Sequence, residues 1–246
     1  MKLFTPRSRG PSVWGYSSTF GGGLVAGDQT RLDLQLGPDT RSFVSTQAST
    51  KVYRNPVLPP CRHETHAVAE TGSLLVFAPE PVQLFAQSSY IQQQRFYLAS
   101  NASLALVDWI SSGRSARGER WAFTHLGSRN EIFRGEEREL VFLDSLQLDS
   151  GDGDMALPHR CGRFNCFALL VLLGPLLRHL SAALLQNVAA QPVPRRGALV
   201  CSASPLREGA ILRMAGEEVE AMGREIHRHL RPLCALLGDD PWSRKW

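Results

Sequence analysis

A mainly β fold, a stack of sheets with a small helical element near its C-terminus, is predicted by three observations. Between Thr30 and about Glu139, apolar residues repeatedly alternate with polar ones at a period of two. Gly, Pro and Asn punctuate that stretch at short intervals. No segment of helical period intervenes, so successive strands stack as sheets instead of forming βαβ units. After Asp152 the sequence becomes dense in Leu and Ala, the composition of helices.

Leu32, Leu34 and Leu36 alternate with Arg31, Asp33 and Gln35, which buries one face of a strand before Gly37-Pro38-Asp39 turns the chain. Phe43-Val44-Ser45-Thr46 and Lys51-Val52-Tyr53 are β-branched and aromatic, and Cys61 to Val68 reads as a more polar strand. Leu74 to Phe77 is a short buried run stopped by Pro79 and Pro81. Gln92 to Leu98 alternates, Asn101-Ala102 turns, and Leu104 to Ile110 is almost wholly apolar. Trp121 to Leu126 and Glu131 to Leu148 are expected as strands around a turn at Ser128-Arg129-Asn130.

Asn165 to Val188 has helix composition, although a buried strand shows the same apolar density. Gly174-Pro175 either kinks that helix or starts a second one, and Pro192-Val193-Pro194 ends it. Leu199 to Ser202 is a candidate late strand. Glu217 to Leu237 spaces Val219, Met222, Ile226 and Leu230 as an amphipathic helix that Pro232 kinks or ends. No linker and no internal sequence repeat divides residues 1–246, which are read as one domain.

Composition narrows the function. The chain has 246 residues, 43% hydrophobic and 20% charged, enough for a sizeable core. Its formal charge of +4 and pI of 9.0 come from scattered arginines, which favours a solvated surface over a nucleic-acid face. Cys61, Cys161, Cys166, Cys201 and Cys234 form no C-x-x-C pair, which excludes a zinc ribbon or thioredoxin motif, and no disulfide framework is expected. The N-terminus lacks a signal-like apolar stretch, and the longest apolar run, Phe167 to Leu177, is well short of the ~20 residues that span a bilayer. A cytosolic protein with no membrane partner is expected.

The Gly-rich stretch Phe20 to Asp28 lacks the following Lys-Ser/Thr of a P-loop and precedes a strand, so its glycines are read as supplying positive φ or close packing. Cys61 and His63 lie two apart on a strand and could both point outward to contact nickel or zinc, with His66 opposite; a solvated edge strand is the commoner reading. His159, Cys161 and Cys166, near Asp152 and Asp154, form a second loose cluster with the same alternative. His227 and His229 diverge on a helix and cannot share an ion. Asp108 closes an apolar run, where an acid must be paired or hydrated; it is a structural acid or one that lines a polar path. Glu119 is a second acid nearby. No nucleophile–base–orienter set or fixed metal motif is present, so no enzyme activity is expected.

Gly21-Gly22-Gly23-Leu24-Val25-Ala26-Gly27-Asp28 and Thr46 through Arg54 resemble the signature of the UreD (UreH) family of urease accessory proteins. Pro79-Glu80-Pro81-Val82, Phe85-Ala86, Asp108-Trp109, Ser112-Gly113-Arg114, Gly118-Glu119, Leu230-Arg231-Pro232, Pro241-Trp242 and Trp246 continue the resemblance in order. It implies stacked sheets in a β-helix-like body with C-terminal helices. It also implies a scaffold that binds UreF and UreG, docks on apo-urease, and passes nickel along an internal polar path, with Asp108 and Glu119 as path acids. Nickel would be transient, with no tightly bound cofactor. Trp242 and Trp246, on a short tail, are read as anchors of a partner interface. Family members usually carry further strands before the segment matching Lys2-Leu3, so a short or degenerate form that no longer supports urease maturation is the alternative.

Overall fold

A computed structural model of the chain describes residues 1–151, 153, 156–193 and 195–243, so Asp152, Asp154, Pro194 and Trp246 lie outside the described residues. Two sheets face each other. The smaller consists of β3 (Gln29–Leu36), β6 (Cys61–Ala69), β9 (Ser89–Leu98) and β11 (His125–Arg134), all parallel, closed by antiparallel β12 (Glu139–Asp149). The larger begins with β1 (Lys2–Phe4) and β2 (Val13–Ser18) and runs through β4 (Arg41–Thr46), β7 (Leu74–Phe77) and β10 (Ser103–Ser111). β5 (Thr50–Val52) and β8 (Val82–Leu84) lie beside the far end of β10. The chain passes repeatedly from the larger sheet to the smaller, each pass laying a new parallel strand beside the last. The body is therefore a β-solenoid, although no sequence repeat marks its coils.

Three further strands, β13 (Cys166–Leu173), β14 (Leu199–Leu206) and β15 (Gly209–Gly216), extend the larger sheet beyond β10 in the order β13-β15-β14, each antiparallel to its neighbour. The short helix α1 (Leu157–Arg160) precedes them, and α2 (Arg178–Ala189), α3 (Val219–Leu230) and α4 (Leu233–Leu237) are interleaved with or follow them. On the outer face of the larger sheet, Trp14, Phe43, Val107 and Leu170 pack with Leu184, Met222, Ile226 and Leu237 of the helices. On its inner face, Val44, Leu75, Leu106 and Val171 meet Leu36, Phe96 and Ile132 of the smaller sheet. Strands buried on both faces need apolar residues at every position, which accounts for the unbroken runs at Leu74–Phe77 and Cys166–Leu173. The smaller sheet keeps one face in water, and β3 alternates accordingly.

Two expectations are corrected. The first half of the Leu/Ala-rich segment is strand β13, and only the part after Pro175 is helical, because the strand lies between the smaller sheet and the helices. The turn expected at Ser128-Arg129-Asn130 lies instead at Gly135 and Arg138, both with positive φ, and Ser128 to Asn130 sit within β11. Pro232 does end α3, standing immediately before α4.

Candidate functional site

The Gly-rich loop closes one end of the solenoid. Gly21 and Gly22 take positive φ, while Leu24 bridges to Val52 and donates its amide to the Lys51 carbonyl at 2.8 Å. The Tyr53 amide in turn donates to the Leu24 carbonyl at 2.9 Å, so the Gly-rich loop and the Lys51-Val52-Tyr53 segment are physically one unit. Gly23 has no room for a side chain: a Cβ there would lie 2.6 Å from the Tyr53 ring and 2.7 Å from the Lys51 carbonyl oxygen. Gly23→Ala is expected to destabilise the fold by about 1–3 kcal/mol, since a backbone carbonyl cannot easily yield. Thermal melts should show Gly23→Ala losing more than a substitution at exposed Val25; equal melting temperatures would refute the packing role.

Between the sheets, two apolar clusters are separated by polar residues. Leu36, Phe96 and Ile132 lie in one cluster; Val52, Leu84, Tyr90, Ile110 and Leu126 lie in the other. The separating residues stand in register across the smaller sheet. Thr30, His63, Gln92 and Ser128 form one row across β3, β6, β9 and β11, and Thr65, Gln94 and Asn130 form the next. Because parallel strands stack along the solenoid axis at about 4.8 Å, each row is a polar track running lengthwise through the interior. The second row continues to Asp144 on β12.

Asp108 meets this track from the opposite sheet. Along β10 it points inward between Leu106 and Ile110, whereas Val107 and Trp109 point to the helices. Its Oδ1 accepts from Gln92 Nε2 at 3.0 Å; its Oδ2 accepts from Ser128 Oγ at 2.9 Å and Asn130 Nδ2 at 2.7 Å. The amides are held in turn. Tyr90, whose burial raises its pKa, stays protonated and donates to Gln92 Oε1, which aims the Gln92 amino group at Asp108. Gln94 Nε2 donates to Asn130 Oδ1 at 2.8 Å, so Asn130 also presents its amino group to the carboxylate.

Asp108 borders two cavities. One, of about 100 Å³, is rimmed by Met1, Ser18, Thr19 and Ser49 and lined inside by Thr30, His63, Gln92 and Gln94; Glu80 also lines it. The other, of about 410 Å³, is lined by Ile110, Ser128, Leu146 and Phe167 and edged by Asp144, Arg160 and Arg213. Asp144 is ion-paired with Arg213 at 3.0 Å across the two sheets.

The expected orientation of Cys61 and His63 is corrected: both point inward, on the face shared with Thr65 and Ala67, while Arg62 and Glu64 face solvent. Cys61 is buried and its thiol donates to the Val25 carbonyl at 3.0 Å. His63 is bonded through Nδ1 to Thr30 at 2.8 Å and through Nε2 to Thr65 at 3.1 Å. Burial lowers its pKa to about 4, so the ring is neutral near pH 7. The structure thus brings His63 and Asp108 to one cavity and leaves Glu119 elsewhere. Glu119 takes a bidentate ion pair from Arg114, which lowers its pKa, and accepts the Ala86 amide at 3.2 Å, pinning the loop after β10.

Trp242 is also reassigned. Its ring packs edge-on against Phe43 at 5.0 Å and lies beside His227, so it joins the outer core. In the second cysteine cluster, Cys161 and Cys166 are buried while His159 is exposed. His229 is buried beside Glu225 and His227 faces out, as their spacing requires. Among the described residues no three His, Cys, Asp or Glu side chains gather into a metal cluster, and no helix is long and apolar enough to cross a membrane.

The sequence profile described as UreD urease accessory protein matches residues 1–246. The chain is 47% identical to a protein named urease accessory protein UreD from Sorangium cellulosum, over 100% of this chain and 77% of that one. It is 37% identical to a protein of the same name from an Anaeromyxobacter species, over 99% of this chain and 81% of the relative. A plant protein from Oryza sativa subsp. japonica, named urease accessory protein D, is 30% identical over 98% of this chain and 86% of its own length.

Proposed function

The chain belongs to the UreD family of urease accessory proteins, and from that premise we propose that it is the scaffold of a nickel-delivery complex whose cargo passes through the solenoid by way of Asp108. The observation that carries this reading is the polar track: two rows of hydroxyl, amide and imidazole groups run along the axis between two cavities, and both cavities reach one carboxylate. Such residues are costly in a core unless hydrogen-bonded; here they bond one another and also face the cavities, where they can meet a polar occupant. Carboxylate, imidazole and water suit nickel, and a carrier built from separate ligands can release the ion where a four-ligand cage would hold it.

The role involves no turnover. Its partners are UreF, UreG and apo-urease, in the cytosol, and nickel is cargo. A cell that makes urease but lacks its own family member provides the test. Expression of this chain should restore urease activity, and purification should recover UreF, UreG or urease with it. The isolated chain should be nearly metal-free after dialysis. A folded chain that restores no activity and recovers none of these proteins would overturn the reading in favour of a form that no longer supports urease maturation.

A further inference from the structure

We propose that His63 and Asp108 are the two protein ligands of a divalent-cation station in the smaller cavity, which selects nickel-like ions over magnesium and calcium. The inference rests on the delivery reading for its purpose but stands on its own geometry. His63 and Asp108 line the same cavity from opposite sheets. His63 is the direct neighbour of Gln92 across β6 and β9, and Gln92 donates to the Asp108 carboxylate at 3.0 Å. Gln92 thus touches the carboxylate and is the strand neighbour of His63. A cavity of about 100 Å³ holds an ion with a few waters, each of which occupies about 30 Å³ in the liquid.

Apart from Met1 at the rim and Trp109, whose indole N–H is committed to the Pro79 carbonyl, the other polar side chains around this space are hydroxyls, amides, Asp108 and Glu80, whose oxygens suit magnesium as well as nickel. Among the described residues, His63 supplies the only imidazole in the lining. An imidazole such as this one favours nickel, cobalt and zinc over magnesium and calcium. Its two partners, Thr30 and Thr65, are hydroxyl rotors, so a ring nitrogen can be released by turning a hydroxyl and without moving a strand. Asp108 contributes the negative charge, on a carboxylate already aimed by Gln92, Ser128 and Asn130.

The test is calorimetric titration of the complete chain with nickel chloride, and separately with magnesium chloride, for the wild type and His63→Gln. The glutamine can still bond Thr30 and Thr65, and matching melting temperatures establish that the variant is folded. Nickel affinity should fall by about tenfold or more in His63→Gln while magnesium affinity is unchanged. Should the variant unfold, cobalt absorption spectra of the wild type give the second readout, in which an imidazole nitrogen must appear in the coordination shell. Equal nickel affinity in the two proteins, a wild type that binds nickel no better than magnesium, or a cobalt shell of oxygen alone would each overturn the inference. If His63→Gln loses its nickel preference yet urease is activated normally in cells, the station stands and the delivery reading fails. If nickel affinity is unchanged but Asp108→Asn blocks activation, the reverse holds.

Discussion

Asp108→Asn is expected to lower urease activation by about tenfold or more while leaving the protein folded. The two halves of that expectation rest on different atoms. Charge is lost, so a cation crossing between the cavities meets no carboxylate where both of them converge. Shape is kept. The asparagine oxygen can take the place of Oδ2 and go on accepting from Ser128 and Asn130. Its amino group then faces Gln92, whose amide can turn to present its oxygen, with Tyr90 as a hydroxyl that can adjust. Asp108→Ala is a poorer instrument, because it strands donors from Gln92, Ser128 and Asn130 in the interior. Each stranded donor costs about 1–3 kcal/mol, so the alanine variant loses stability as well as charge. Activation assays on a urease-expressing strain, paired with melting curves of both variants, separate the effects. Normal activation by Asp108→Asn would remove Asp108 from any nickel path.

The same residues explain which parts of the molecule were legible in the sequence. Strands β3, β4, β6, β7, β9 and β10 announce themselves by alternation or by short apolar runs between Gly and Pro breaks. Ser128-Arg129-Asn130 misleads because its composition is that of a turn, yet Ser128 and Asn130 are polar for the sake of Asp108. Local sequence rules fail where a tertiary contact overrides them, and the bonds from Ser128 and Asn130 to Asp108 do so here. Strand β13 misleads for a different reason. Covered on both faces, it has no period of two, and Leu-rich composition without a period reads as helix.

The track itself could not be read from one sequence. Thr30, His63, Gln92 and Ser128 share neither chemistry nor a regular interval along the chain; they share a register that only the stacked strands create. A signal did exist for the orientation of His63. Arg62 and Glu64 flank it and mark the solvent face, so residues 61, 63, 65 and 67 belong inside. Glu119 shows the converse: its place beside Asp108 came from a family motif, and the fold sends it to Arg114 instead. Proximity in a motif does not imply proximity in a coil.

Trp242→Ala is expected to destabilise the protein by about 2 kcal/mol or more, a drop of roughly 4–8 °C in Tm for a chain of this size. A fully buried tryptophan costs about 3–5 kcal/mol to truncate, and Trp242 is half-buried, so the lower part of the scale applies. Its ring stands edge-on to Phe43 at an interplanar angle of 77°, the arrangement aromatic pairs prefer, and Phe43 is wholly buried at the centre of the outer cluster. The tail leading to it is tied down as well. Tyr16 donates its hydroxyl to the Pro241 carbonyl at 2.8 Å, and the Arg9 amide donates to Asp239 Oδ2 at 2.9 Å. Removing the indole leaves a gap between α3 and β4 that these bonds hold open. Trp242→Phe should recover much of the loss, since a phenyl ring can still meet Phe43 edge-on. Measured well below the melting temperature, partner capture by Trp242→Ala should match the wild type. An unchanged Tm with capture abolished would return Trp242 to the surface as a partner anchor and contradict its place in the core.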